Sequence, residues 1–148
     1  MPASEHVLAS MNGPAQKADT RILVVEDDHA VRRIIERGLT RQGYAVVSAS
    51  TASEAAQLFR LGQPRFALVV SDVVLPDGTG PQLMASLRED RPDLRVVYMS
   101  GYGEEALGLA GSNETFLKKP FAPADLRQAV LRALAERDRH RDSAQDIG

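Results

Sequence analysis

The chain has no cysteine and no tryptophan among its 148 residues. Without thiols it can hold no disulfide, no thiolate-bound zinc and no cysteine nucleophile, a composition that fits a reducing compartment. Aromatic residues make up only 5%, too few for a platform on which bases stack. The formal charge is only -2, which points neither to a basic nucleic-acid surface nor to the charge excess of a disordered chain. No apolar run approaches the length of a membrane span, and the amino-terminal segment lacks the basic start and apolar centre of a signal peptide. The expectation is a soluble, cytoplasmic protein with no direct membrane or nucleic-acid contact. What is present is a 43% hydrophobic content in a length that suits one domain able to bury a core unaided.

Residues 1–20 mix Ser, Pro, Gly, Asn and charges without a period and read as a disordered linker, and 138–148 read as a polar tail. Residues 21–137 form the expected domain. Arg21 to Glu26 has the apolar content of a strand; Val31, Ile34, Ile35 and Leu39 then line one helix face, with Asp28 placed to cap it and Gly43 to end it. Tyr44 to Ser48 is a second strand, and Thr51-Ala52-Ser53-Glu54 has capping-box spacing for a helix through Leu61. Phe66 to Ser71, Arg95 to Met99 and Phe116 to Leu117 are further strands, with Leu83 and Leu87 marking a helix between the first two. Pro123 opens a last helix whose stripe is Leu126, Ala129, Val130, Ala133 and Leu134. The stretch from Gly101 to Gly111 must supply the remaining helix, yet each interior glycine there costs about 1 kcal/mol relative to alanine. A short, frayed or mobile helix is predicted.

Five strands alternating with five helical segments make an α/β domain with a parallel sheet. In such sheets function collects at the carboxyl ends of the strands. Four of those ends carry unusual residues. The first runs into Glu26-Asp27-Asp28, the third into Asp72 and the loop Val73-Val74-Leu75-Pro76-Asp77-Gly78, the fourth into Ser100, the fifth into Lys119-Pro120. An acid at a strand end is ordinarily a helix cap, the reading that suits Asp28; the coincidence of four ends favours chemistry. Two unit charges about 4 Å apart repel by roughly 4 kcal/mol at an effective dielectric of 20, so Glu26, Asp27 and Asp72 gathered together require a cation. Mg2+ suits them, since it takes one or two carboxylates, keeps waters and leaves room for phosphate oxygens. Zinc is not indicated: His6 and His140 fall in the tails and His29 opens a helix. Asp72 is then equipped to attack a phosphoryl group, with Lys119 offsetting charge on its oxygens and Ser100 hydrogen-bonding one of them.

These residues resemble the receiver domain of two-component response regulators, over about Arg21 to Arg137. The resemblance implies a flavodoxin-like (βα)5 three-layer sandwich with strand order 2-1-3-4-5. It also implies that Asp72 is the phosphoacceptor, that Asp27, Asp72 and the main-chain carbonyl of Val74 bind Mg2+ with Glu26 acting through water, and that Lys119 and Ser100 take the phosphoryl oxygens. Ser100 and Phe116 fall at the family's switch positions, although Phe116 reads equally as plain core. The donor would be a histidine kinase or histidine phosphotransfer protein, the output a change of protein contacts, and the chain a monomer or weak homodimer. The run Val96-Val97-Tyr98-Met99-Ser100-Gly101-Tyr102 resembles receivers fused to hybrid histidine kinases, which would put a kinase in the same parent chain; a free-standing single-domain regulator is the alternative. Val74 and Tyr102, where the family tunes phosphoryl lifetime, offer no group to position water, so slow hydrolysis is expected.

Two other readings compete. A Mg2+-dependent phosphohydrolase with Asp72 as nucleophile would usually carry a second acid two residues on, where this chain has Val74; multiple turnover on small substrates is not expected. A nucleotide or flavin binder would want a glycine-rich loop after the first strand, where Glu26-Asp27-Asp28 stands instead.

Overall fold

A computed structural model of the protein describes residues 17–61, 65–102 and 114–147. The main elements are β1 (Arg21–Val25), α1 (His29–Arg41), β2 (Ala45–Ala49), α2 (Ala52–Leu61), β3 (Leu68–Asp72), α3 (Gly80–Asp90), β4 (Arg95–Ser100), β5 (Thr115–Lys118) and α4 (Pro123–Ile147). A 3-10 turn at Lys17–Asp19 precedes β1, and a two-residue antiparallel ladder, Val74–Leu75 with Gly78–Thr79, lies between β3 and α3.

The five strands pair in parallel in the order β2-β1-β3-β4-β5, the flavodoxin-like arrangement. Helices cover both faces, so the middles of the inner strands are apolar and successive side chains serve opposite cores. Ile22 and Val24 of β1, with Leu68 and Val70 of β3, pack against Ile35 and Leu39 of α1 and against Leu126, Ala129 and Val130 of α4. Leu23, Val25 and Val69 point the other way, onto Ala55 of α2 and Leu83, Met84 and Leu87 of α3. Register aligns the carboxyl ends: Val25 pairs with Ser71, Asp72 with Met99 and Ser100 with Lys118.

Local signals explain most element ends. Asp28 caps α1 by accepting from Val31 N–H at 3.1 Å, and Gly43 takes the left-handed φ of 97° that lets the chain turn into β2. The capping box expected at Thr51–Glu54 is slipped by one residue. Thr51 Oγ1 accepts from Glu54 N–H, but the Glu54 carboxylate reaches the N–H of Ser50 at 2.7 Å. A complete box stands at α3, between Thr79 and Gln82.

Two elements run on past their expected ends. β3 extends through Asp72, because ladder pairing with Met99 involves only backbone and is indifferent to side-chain polarity. The backbone of α4 is helical to Ile147, well past 137 and through most of the stretch expected as a polar tail; the sequence from Ala124 to Ile147 holds neither glycine nor proline and is rich in helix formers. The frayed helix predicted within Gly101 to Gly111 falls almost wholly on residues outside the described ones. Among the described residues no helix is long and apolar enough to cross a membrane.

Candidate functional site

The ends of β1, β3 and β5 bring Glu26, Asp72 and Lys119 into contact. Lys119 Nζ lies 2.5 Å from Glu26 Oε1 and 2.6 Å from Asp72 Oδ1, spanning both acids with one ammonium. Glu26 is 1% exposed and Asp72 5%, so these are carboxylates taken out of water, where unpaired charge is costly. The remaining contacts hold Glu26 in place. Its Oε2 accepts from Asp28 N–H at 3.1 Å, and its carbonyl accepts from Arg32 at 2.9 Å, which ties the end of β1 to α1. Lys119 is fixed from behind by its N–H to Ser100 carbonyl bond of 2.8 Å, and its bond to Pro120 is cis.

Asp27 sits beside this pair but is exposed. Glu26, Asp27 and Asp72 each place a carboxylate oxygen within 4.8 Å of the other two. Hard oxygen donors with no nitrogen or sulfur among them, one open to solvent, fit a divalent cation that retains water. The environment of Asp72 fits it as well: Oδ1 is buried and has no aligned hydrogen-bond donor, despite the nearby ammonium.

The electrostatics follow from two acids sharing one lysine. Burial pushes the Asp72 carboxyl up to about 8, and the Glu26 carboxylate adds to the rise while Lys119 opposes it. Burial also works against ionised Glu26, yet hydrogen bonding with Asp72, Lys119 and the Asp28 amide prevails and holds it below the ordinary range. Lys119 loses solvation too, and its close contacts with the Asp72 and Glu26 carboxyls more than compensate, raising its pKa. The metal-free pair thus favours one carboxylate and one carboxylic acid around an ammonium.

The other sequence-predicted residues lie farther from this centre or are engaged elsewhere. Ser100 ends β4 next to β3, and its Oγ accepts from Tyr102 N–H at 2.9 Å. Val74 follows Asp72 by two residues and is 63% exposed. Phe116 is half-buried and packs on Tyr98 with ring centroids 5.7 Å apart, in the core shared by α2 and α3. Sequence reasoning missed Gly80 and Arg32. A Cβ on Gly80 would stand 2.4 Å from the Asp72 carbonyl oxygen, so only glycine fits beside Asp72. The Thr79-Gly80-Pro81 run hinted at a helix start, but nothing in it announced that approach.

Residues 22–131 match the family described as the response regulator receiver domain. The chain belongs to that family. As a receiver domain it is similar to the sensor kinase CckA of Brucella abortus (strain 2308), 37% identical over 120 residues that cover 79% of this chain and 13% of the kinase. It is 34% identical over 128 residues to the DNA-binding transcriptional regulator NtrC of Rhizobium meliloti (strain 1021), covering 84% of this chain and 26% of the regulator. The receiver thus spans only a small part of either relative. Solved structures agree: the receiver domain of the hybrid histidine kinase CckA superposes with a TM-score of 0.66 at 33% identity, covering 77% of this chain and 98% of that one. A CheY-like receiver from Methanospirillum hungatei JF-1 gives 0.71 at 28% identity over 82% and 98%.

Proposed function

We propose that this receiver accepts a phosphoryl group on Asp72 from a phosphohistidine of a histidine kinase or histidine phosphotransfer protein, and that the modification switches protein contacts. The observation that carries this reading is the Lys119 ammonium held against Asp72, with Glu26 and Asp27 beside it. An Asp72 carboxylate oxygen attacks phosphorus, the phosphorus–nitrogen bond breaks, and its electron pair returns to the imidazole. Lys119 offsets charge on the phosphoryl oxygens. Ser100 Oγ accepts from Tyr102 N–H, which leaves its own proton to donate to a phosphoryl oxygen. Held by Asp27, Asp72 and the Val74 carbonyl, with Glu26 acting through water, Mg2+ would supply Lewis-acid neutralisation of phosphoryl charge. Inward movement of Ser100 would let Phe116 follow, the switch to which its half-buried position is suited.

The similarity to CckA favours a setting in a hybrid kinase, with the kinase in the same parent chain. A phosphohydrolase is disfavoured because the place for its second acid is taken by the apolar, exposed Val74.

The test is intact-mass measurement after incubation with acetyl phosphate. One added phosphoryl group is expected with Mg2+ and none in EDTA; no addition with Mg2+, or steady turnover of a phosphate ester, would contradict the reading.

The pH dependence of metal binding is a further expectation. Mg2+ must displace the proton that Asp72 holds up to about pH 8. Affinity should therefore rise with pH by about tenfold per unit at most and level off above about 8. Calorimetric titration across that range checks it, and a flat profile would mean that Asp72 is already ionised without metal.

A further inference from the structure

Between Asp72 and α3 the chain makes a short excursion whose two ends are pinned at the acceptor. Val73 donates its N–H to the Met99 carbonyl at 3.0 Å, and its carbonyl accepts from Gly80 N–H at 2.7 Å. Gly80 in turn abuts the Asp72 carbonyl. From these anchors the hairpin runs outward. Val74 pairs with Thr79 and Leu75 with Gly78, while the turn residues Pro76 and Asp77 are exposed.

The turn is nevertheless tethered. Asp77 Oδ1 accepts from Ala52 N–H at 2.8 Å, and its Oδ2 accepts from Ser53 N–H at 2.9 Å. Both amides belong to the first turn of α2 and have no partner within that helix. Thr51 caps only the next amide, Glu54. One carboxylate therefore takes two free N–H groups at the positive end of a helix more than twenty residues away. Among the described residues it makes the only side-chain hydrogen bonds that join the turn to another element.

We infer that Asp77 is a positioning residue for the cation site. By fastening the turn to α2 it fixes the backbone of residues 73–75, the segment that carries the Val74 carbonyl. This rests on the reading of Glu26, Asp27 and Asp72 as a Mg2+ site. If Asp77 served only as a cap of α2, its loss would lower stability and leave metal affinity unchanged.

Mg2+ alone is the probe, titrated into the parent, Asp77→Ala and Asp77→Asn proteins and followed by amide chemical shifts, with thermal unfolding in EDTA alongside. Asp77→Ala is expected to weaken Mg2+ binding by about tenfold, as loss of a group supporting a metal ligand does. Asp77→Asn keeps one acceptor oxygen and should fall between the two. Because linkage is reciprocal, Mg2+ should also slow hydrogen exchange at the Ala52 and Ser53 amides of the parent. Equal affinity in parent and Asp77→Ala, within twofold, would overturn the inference, as would unchanged exchange at those amides on saturation. Should Asp77→Ala not fold, Asp77→Asn and the parent's exchange decide. A parent that binds no Mg2+ would overturn the functional reading itself, a result distinct from equal binding.

Discussion

An Asp72→Asn variant is expected to take up no phosphoryl group from acetyl phosphate, and in EDTA to be more stable than its parent. The first effect is chemical: an amide has no anionic oxygen to attack phosphorus. The second is electrostatic. Asp72 is 5% exposed beside an ionised Glu26, with one ammonium between them. Asparagine has almost the same shape, keeps an acceptor oxygen for Lys119, and leaves Glu26 and Lys119 as a matched pair. Relief of the surplus charge should contribute about 1–3 kcal/mol.

The sign with pH is definite. Asp72 binds its proton more tightly in the folded protein, where its pKa is pushed up to about 8. Its contribution to stability is therefore complete below the ordinary carboxylate range and lost as pH rises toward about 8. Asparagine does not titrate, so the advantage of Asp72→Asn should grow across that interval and then level. Urea unfolding in EDTA at about pH 5 and about pH 8 measures it. A variant less stable than the parent at the higher pH would contradict this electrostatic picture.

Lys119→Met should have the opposite consequence. Methionine fills much of the same space but removes the ammonium 2.5 Å from Glu26 and 2.6 Å from Asp72, leaving two buried acids without a cation. Breaking a buried pair costs about 3–5 kcal/mol; with the lysine side chain 26% exposed, a loss of about 2–3 kcal/mol in EDTA is expected. Mg2+ should then stabilise the variant more than it stabilises the parent, because a second cation relieves the same repulsion. Phosphoryl uptake should still fall by about a hundredfold, the typical cost of losing one group aimed at developing charge. Denaturant titrations of both proteins with and without Mg2+ check the first part. Equal stabilisation by Mg2+ would mean that Lys119 does not offset the acids.

The fold was legible wherever one signal acted over a short stretch. β1 and β3 are buried on both faces, so their apolar runs stand out, and Asp28 and Gly43 mark the ends of α1 by local chemistry. The contact of Lys119 with Glu26 spans 93 positions yet followed from topology, since parallel strands deliver their carboxyl ends to one edge. The tether from Asp77 to α2 was not legible. A carboxylate in a Pro-Asp-Gly run reads as a turn residue, and its reach to α2 depends on how two loops pack. Ser100 was placed at the right strand end, but its bond from Tyr102 N–H depends on the local path of the chain after β4. The slipped box at Glu54 has the same origin: spacing offers two acceptable amides, and the geometry at Ser50 selects one.

The central claim is that the carboxylate of Asp72 is the group that carries phosphate. Borohydride reduction of the acetyl-phosphate-treated protein converts an aspartyl phosphate to homoserine, and peptide mass spectrometry locates it. Homoserine at position 72, dependent on Mg2+, is the predicted result; homoserine elsewhere, or none in a protein that has gained phosphate, would contradict the account.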